Sequence, residues 1–165
     1  MIKEYFCVQL RESLKVGLPL EHTAEVISLS RGEICPIPGV ASSLLGVVNQ
    51  RGRLLWVLEL SDLLQLAPPV MRSRPQDRLT LLLMTQDENS TLGKSQPQLA
   101  CVVSALQGIV SLNPDKFQLV PTNSRFKVFV SGITEIEQSS VAILNPKAIF
   151  AELQSSIFSN SLIHQ

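Results

Sequence analysis

Two apolar runs joined by a short polar turn lie at the centre of the segment from Ile34 to Leu66. Leu44–Val48 and Arg53–Leu60 have the length and the Leu and Val content of buried strands. Gly52, which ends the turn, can adopt the positive φ that a tight hairpin needs. The hairpin is preceded by Pro36-Ile37-Pro38-Gly39, a stiff turn because each proline fixes its own φ and disfavours a helical residue before it. The segment therefore predicts a turn followed by a β-hairpin.

Short apolar runs bounded by Gly, Pro and polar residues recur through the rest of the chain, which is typical of an all-β architecture. Two short helical segments are also predicted, at Glu21–Val26 and, with Ser61 as its cap, at Ser61–Leu66. The predicted strands outside the hairpin are Tyr5–Leu10, Leu14–Leu20, Ile27–Leu29, Leu79–Thr85, Leu99–Leu106, Gly108–Leu112, Phe126–Ile136 and Ser140–Leu144.

A helix is predicted at the C-terminus, where Pro146 suits the first helical position. Its apolar residues recur at helical spacing and form one face. We expect this face to pack on the protein's own sheets, and docking on a partner is the alternative. The residues of this face are Ile149, Phe150, Leu153, Ile157 and Phe158.

The charge balance disfavours a nucleic-acid binder. The 14 Lys and Arg residues equal the 14 Asp and Glu residues in number, so the formal net charge is zero, whereas nucleic-acid affinity comes mainly from cations that neutralise phosphates. Aromatic residues make up only 5% of the chain, which is few for a surface that stacks on bases. An OB-like nucleic-acid binder is therefore a minor alternative, favoured only by the loop that carries Arg72, Arg74 and Arg78.

The chain carries no recognisable catalytic, nucleotide-binding or metal-binding motif. Its two histidines, His22 and His164, are not accompanied by a nucleophile motif, and neither G-x-x-x-x-G-K-[ST] nor G-x-G-x-x-G occurs. The three cysteines are scattered and lack the C-x-x-C spacing of a zinc site. We therefore expect a protein that is not an enzyme and that has no catalytic residues, no cofactor and no metal.

The cysteines and the N-terminus favour a cytoplasmic protein. Cys7 and Cys101 lie inside apolar runs, where a reduced thiol behaves as a small hydrophobe. The first residues lead into no long apolar stretch, so a signal peptide is not predicted. The longest apolar run, around Leu81–Met84, is too short to cross a bilayer. Direct membrane insertion is therefore not expected.

Several side chains of the predicted surface have two interpretations. Arg51 and Arg53 flank Gly52 and either stay solvated or anchor an interface. The three arginines of the loop before Leu79 are interpreted first as solvated. Trp56, the single tryptophan of the chain, either fills the core or lies exposed at an interface.

The hairpin segment resembles the core signature of CheW-like coupling domains of bacterial chemosensory arrays. That signature has the form I-x-P-I-P-G, then G-V-x-N-x-R-G, then an apolar strand ending in an acidic residue and Leu. Its counterparts here are Ile34, Pro36–Gly39, Gly46–Gly52 and Glu59-Leu60. Further similarities extend the resemblance over nearly the whole chain, at Leu18–Glu21, Glu25–Ile27, Val102-Val103, Gly108–Leu112, Val130–Ile133 and Val141–Leu144.

The resemblance implies both a fold and a function. The implied fold is mainly all-β, with two small five-stranded SH3-like barrels around a shared core, short helices and a C-terminal helix, in a single domain spanning residues 1–165. The implied function is that of an adaptor. It would couple the cytoplasmic tip of a methyl-accepting chemoreceptor to the regulatory domain of a CheA-type histidine kinase, in chemotaxis, phototaxis or pilus motility. Two separate surfaces would hold these partners in a fixed geometry.

The resemblance also implies two groups of interface residues. One group would bind the receptor tip in a groove between the barrels, and the other would pack against the kinase. The implied receptor-binding residues are Thr23, Glu25, Val26, Asn49, Arg51, Gly52, Val102 and Val103. The implied kinase-binding residues are Ile37, Pro38 and Val40.

The chain departs from the family pattern at several positions. Gln50 replaces the usual Leu, Ser104 replaces an acidic residue, Asn145 replaces an Asp, and two extra residues occur around Ser30–Glu33. These departures suggest a divergent member with its own receptor and kinase. The alternative function is that of a small β-barrel that binds an apolar ligand in its interior.

Overall fold

The computed structural model describes residues 1–88, 97–124 and 127–163, with side chains in the final helix described up to residue 154. Within these ranges the chain forms ten β-strands and two α-helices, with 3-10 turns between some of them. The helices are α1 (Leu60–Leu63) and α2 (Pro146–Ile163). The strands are β1 (Lys3–Gln9), β2 (Lys15–Pro19), β3 (Thr23–Ser30), β4 (Leu44–Gln50), β5 (Arg53–Glu59), β6 (Arg78–Thr85), β7 (Gln98–Val103), β8 (Ala105–Leu112), β9 (Val130–Ile136) and β10 (Ser139–Leu144).

The strands form two five-stranded sheets, which confirms the mainly all-β fold. The first sheet has the strand order β8-β1-β2-β10-β9, and the second has the order β3-β6-β7-β5-β4. Neighbouring strands are antiparallel except for β2 with β10 and β5 with β7. The chain leaves the first sheet after β2, builds the whole second sheet, and returns at Ser104 to add β8, β9 and β10. The first sheet is therefore assembled from both ends of the chain.

Each sheet surrounds an apolar cluster of its own. In the second sheet, Ile27 of β3 and Val48 of β4 belong to the same buried cluster, although these strands are the two edges of the sheet. Opposite edges reach a common centre only when a sheet curls, so the second sheet has a barrel-like shape. The first sheet surrounds a smaller cluster that contains Tyr5 of β1 and Ile143 of β10.

A third and larger cluster lies between the two sheets. Val16 of the first sheet and Leu58 of the second are both completely buried in it. We call this cluster the shared core, because it joins the sheets into one packed body. Trp56 is half-buried against it, so this residue acts as core filler. Helix α1 adds Leu60 to the same cluster.

The C-terminal helix begins at Pro146, as predicted. Asn145 caps it, because its Oδ1 accepts a hydrogen bond from a backbone N–H of the first turn at 3.3 Å. The predicted packing of the helix on the protein's own sheets is confirmed for Ile149, Phe150 and Leu153, which are buried in the shared core. Ile157 and Phe158, also predicted for this face, lie outside the residues whose side chains are described. No helix within the described ranges is long and apolar enough to span a membrane.

The prediction of helical turns at Glu21–Val26 is wrong. Only Leu20–His22 forms a 3-10 turn, and β3 begins directly afterwards at Thr23. Pairing with β6 outweighs the weak local preference of Glu and Ala for helix, because the strand brings Ile27 into the barrel cluster.

The predicted cap of the helix after the hairpin is also wrong. Glu59 precedes the helix, and its side chain accepts a hydrogen bond from the Ser61 N–H at 3.2 Å. The Ser61 hydroxyl oxygen instead accepts a hydrogen bond from the Arg11 backbone N–H at 3.1 Å. Ser61 thus ties the second sheet to the turn between β1 and β2.

Two later strands have boundaries that differ from those predicted. The predicted strand Leu99–Leu106 is divided at Ser104, where the chain passes from the second sheet to the first. The predicted strand Phe126–Ile136 begins only at Val130, and Phe126 itself lies outside the described residues.

Candidate interaction surfaces

The proline turn is fastened to the hairpin through Cys35 and Val47. The Cys35 N–H donates to the Val47 carbonyl oxygen at 2.8 Å, and the Val47 N–H donates to the Cys35 carbonyl oxygen at 2.9 Å. The backbones approach this closely because Gly46 has no side chain. A Cβ there would lie 2.7 Å from the Cys35 carbonyl carbon and 2.9 Å from the Pro36 Cα, and closer still to the carbonyl oxygen. The signature glycine therefore holds the proline turn against β4.

The three residues predicted to face a kinase lie on or beside this turn. Pro38 is exposed and Ile37 is half-buried. Val40 is half-buried and packs against the shared core. Ile37 and Pro38 therefore offer a small apolar surface on a backbone that is held in place, while Val40 packs against the shared core.

The β4–β5 hairpin presents a second group of predicted residues at its tip. Gln50 and Arg53 are paired across the turn, and the two residues between them both have positive φ, 54° at Arg51 and 83° at Gly52. This is the geometry of a type I′ turn. The Asn49 Oδ1 accepts a hydrogen bond from the Gly52 N–H at 2.9 Å and so stabilises the turn. Arg51 is exposed at the tip, where a partner could reach its guanidinium.

The predicted residues of β3 differ in their exposure. Thr23 is buried, and its hydroxyl donates a hydrogen bond to the Leu20 carbonyl oxygen at 2.8 Å. Glu25 and Val26 are exposed on this edge strand, and Val26 keeps 41% of its surface accessible. Of this group, therefore, only Glu25 and Val26 present side chains to a partner.

Val102 and Val103 are both buried, with 7% and 5% of their surfaces accessible. Because successive side chains of a strand point to opposite faces, Val102 belongs to the cluster inside the second sheet and Val103 to the shared core. Both residues still border a cleft at the surface. Their place in one groove wall stays a prediction, and the structure offers to a partner only their outermost atoms.

The cleft next to these valines was not predicted from the sequence. It has a volume of about 390 Å³ and lies where the turn between β1 and β2 meets the second sheet. Five arginines line it: Arg11, Arg31, Arg72, Arg74 and Arg78. We call this site the arginine cleft. The grouping of the last three in one loop is visible in the sequence, but nothing there indicates that Arg11 and Arg31 join them.

One buried carboxyl group lies in the arginine cleft. Glu59 keeps 7% of its surface accessible, and its carboxylate lies 3.9 Å from a guanidinium nitrogen of Arg11. Burial raises the pKa of Glu59, and this effect exceeds the opposing effects of the Ser61 N–H and of Arg11. Arg11 also pairs with Asp62 and donates from Nε to the Ala67 carbonyl oxygen at 2.9 Å. The positive charge of Arg11 is therefore already paired with carboxylates of the protein itself.

The other four arginines of the cleft are less completely paired. Arg74 lies 3.4 Å from the Asp77 carboxylate. Arg78 donates to the hydroxyl groups of Ser28 and Ser30, each at 3.1 Å. Arg31 has a buried Nε without a hydrogen-bond partner among the described residues. Within the same part of the chain, neither Arg31, Arg72 nor Arg78 forms an ion pair with a carboxylate.

A small group of possible metal ligands lies outside this cleft. Glu21, His22 and Glu88 each offer one ligand atom, and these atoms lie within 4.8 Å of one another. His22 is buried, and its Nδ1 lies 3.1 Å from the Thr85 carbonyl oxygen. Glu21 already pairs with Lys3 at 3.8 Å. Glu21 and His22 therefore each have a partner within the protein.

Comparison with known protein families and solved structures found similar proteins. The family model described as CheW-like domain matches residues 4–154. The crystal structure of the scaffolding protein TtCheW from Thermoanaerobacter tengcongensis has a TM-score of 0.66, with 20% identity over 88% of this chain and 90% of that one. No curated protein sequence matches the chain. Because the family match covers most of the sequence and the shared fold supports it, the chain belongs to the CheW-like domain family.

Proposed function

We propose that this chain is a cytoplasmic scaffold that couples the cytoplasmic tip of a chemoreceptor to the regulatory domain of a CheA-type histidine kinase. The observation that carries the proposal is the family match over residues 4–154. The signature residues also have clear structural roles, since Gly46 holds the proline turn in place and Asn49 stabilises the hairpin tip. A role without catalysis agrees with the structural use of His22, whose Nδ1 contacts a backbone carbonyl.

The surface proposed for the kinase is the proline turn. Ile37 and Pro38 supply apolar contacts, and the hydrogen bonds between Cys35 and Val47 fix the backbone that carries them. A rigid apolar patch binds with little loss of conformational entropy, which favours association. Val40 would act indirectly, because it follows the turn in the chain and packs against the shared core.

The surface proposed for the receptor combines two edges of the second sheet. Glu25 and Val26 lie on β3, and Arg51 lies at the tip of the β4–β5 hairpin. Val26 supplies an apolar side chain next to the charge of Glu25, which suits the amphipathic helices of a receptor tip because charges at the rim set orientation. Thr23, Asn49 and Gly52 would shape this surface through the turn hydrogen bonds that they make. Val102 and Val103 would contribute the outermost atoms with which they border the arginine cleft.

Calorimetric titration tests the kinase half of the proposal. The regulatory domain of a CheA-type kinase from the same genome should bind the wild type with micromolar affinity, and Ile37→Asp should abolish this binding. Leu119→Asp is the control, because Leu119 is 91% exposed in a segment outside the proline turn. Equal loss in both variants, or no binding of any such kinase, would contradict the kinase assignment.

A second titration tests the receptor half. A receptor fragment containing the helical hairpin tip should bind the wild type and bind Arg51→Ala more weakly. Lys127→Ala is the control, because it removes one exposed cation in the segment before β9. A fragment that binds both variants as tightly as the wild type would show that the hairpin tip is not part of the receptor surface.

The alternative function as an apolar-ligand barrel gains no support from the described residues. The interior of each sheet is occupied by side chains of its own cluster, and the arginine cleft is a poor site for an apolar molecule because its guanidinium groups would lose water without compensation.

A further inference from the structure

The arginine cleft concentrates positive charge in a protein that has none overall. Five of the eight arginines line it, although the 14 basic and 14 acidic residues of the whole chain cancel. Only two carboxyl groups, those of Glu59 and Asp77, are among its lining residues. The cleft therefore carries a local excess of positive charge, which would attract an anionic group from solution.

The pairing within the cleft leaves room for such a group. Arg11 and Arg74 have carboxylate partners, but Arg72 and Arg78 have none among the described residues. Arg31 has in addition a buried Nε without a hydrogen-bond partner in the same part of the chain. A buried donor without an acceptor is costly, and an oxyanion entering the cleft would supply acceptors.

The lining also indicates what kind of anion fits. All of its cationic side chains are arginines, whose planar guanidinium groups bind carboxylates and phosphates with two parallel hydrogen bonds. Apolar side chains complete the wall, among them Met71, which is 80% exposed, and the half-buried Leu79. A small inorganic anion would leave this apolar surface in water, whereas an acidic peptide with apolar side chains would cover both.

We propose that the arginine cleft docks an acidic, amphipathic segment of a partner protein, with its carboxylates on Arg31, Arg72 and Arg78 and its apolar side chains on Met71 and Leu79. The occupant is a segment of the receptor tip if the proposed function is correct, because Val102 and Val103 border the same cleft. The docking chemistry itself does not depend on that identity.

Fluorescence anisotropy tests the docking chemistry with a labelled helical peptide of Glu, Leu and Ala. The wild type should bind this peptide, and binding should weaken as salt is raised because exposed charges are screened. The double variant Arg72→Gln/Arg78→Gln should bind it about tenfold more weakly or worse, since hydrogen bonds between charged groups are lost. Lys116→Gln/Lys127→Gln removes the same charge from exposed sites outside the cleft and should bind like the wild type.

Three outcomes would overturn the proposal. The first is equal binding by the two double variants, and the second is equal binding of a peptide with Gln in place of Glu. The third is tighter, equally arginine-dependent binding of inorganic phosphate or of a single-stranded RNA oligonucleotide. Circular dichroism of each variant confirms that it is folded.

The receptor fragment, titrated in parallel, separates this proposal from the proposed function. A fragment that binds the wild type and the Arg72→Gln/Arg78→Gln variant equally would overturn the cleft as its docking site and leave the adaptor role intact. Binding of the acidic peptide together with no binding of any receptor fragment would support the docking chemistry of the cleft and contradict the proposed adaptor role.

Discussion

Replacing Gly46 by alanine should destabilise the protein through a backbone collision between two segments of the hairpin unit. The added Cβ would lie 2.7 Å from the Cys35 carbonyl carbon and 2.9 Å from the Pro36 Cα. Both of these atoms belong to the backbone, so no side-chain rotation can relieve the collision. The residue also has a φ of 139°, which an L-residue with a side chain adopts only under strain.

The cost follows from these two effects. The strained φ contributes about 1–3 kcal/mol. If the proline turn moves away, the two hydrogen bonds between Cys35 and Val47 are lost, each contributing about 0.5–1.5 kcal/mol. The total of roughly 2–6 kcal/mol is a large part of the approximately 5–15 kcal/mol that stabilises a typical domain.

Gly39→Ala is the matched control. Gly39 has a φ of 82°, and a Cβ there would meet no atom within 4 Å. This variant therefore has the φ strain without the collision, and it should lose only roughly 1–2 kcal/mol. The difference between the two variants measures the close approach of the proline turn to β4.

Urea unfolding followed by Trp56 fluorescence measures both variants. Trp56 is the single tryptophan and is half-buried against the shared core, so its emission reports on folding. Gly46→Ala should also speed hydrogen exchange at the Cys35 and Val47 amides. If Gly46→Ala is no less stable than Gly39→Ala and these amides stay protected, the reasoning about the close approach is refuted.

Three further predictions concern the core, the buried carboxyl group and the cysteines. Leu58→Ala should cost about 2–5 kcal/mol in urea unfolding because Leu58 is completely buried, whereas Leu54→Ala on the same strand, 71% exposed, should change stability by less than about 0.5 kcal/mol. Burial raises the pKa of Glu59, so the folded protein binds this proton more tightly than the unfolded chain does. The free energy of unfolding should therefore fall as pH rises from the usual pKa of 4.5 through the raised pKa, and Glu59→Gln should show a smaller fall. Cys35 is exposed and should react with iodoacetamide in the folded protein, while the two buried cysteines, whose pKa values are raised by burial, should react only after unfolding, as mass spectrometry of the alkylated protein would show.

The features that the sequence predicted well are those specified by neighbouring residues. The β4–β5 hairpin depends on two apolar runs and on the positive φ available at Gly52, all within one short stretch. The C-terminal helix depends on Pro146 and on apolar residues at helical spacing. In both cases the local pattern and the tertiary packing favour the same structure, so the local signal is sufficient.

The features that the sequence predicted wrongly depend on distant residues. Glu21–Val26 has helix-forming residues, yet most of it joins β3, because β6 pairs with that strand and buries one of its faces. Ser61 has the side chain of a typical helix cap, yet its hydroxyl accepts a hydrogen bond from the Arg11 backbone, which lies in the turn between two strands of the other sheet. Neither partner can be identified from the residues around the element itself.

The predicted positions of Val102 and Val103 show a different limit of prediction from a family pattern. A family pattern transfers residue positions, but it does not say which face of a strand each side chain occupies. The alternation of side chains along β7 separates Val102 and Val103 onto opposite faces. Both residues nevertheless border the arginine cleft with their outermost atoms, so their shared place in one groove wall stays a prediction.

The arginine cleft could not be predicted from the sequence, because the chain topology brings its residues together. Arg11 lies in the turn between β1 and β2, Arg31 follows β3, and the other arginines lie before or at the start of β6. They meet because the chain builds the second sheet between two visits to the first, which places the β1–β2 turn beside the end of β5, where Arg11 contacts Glu59. A charge count over the whole chain gives zero and hides this concentration. The composition that disfavours a nucleic-acid binder is therefore compatible with a strongly basic local site.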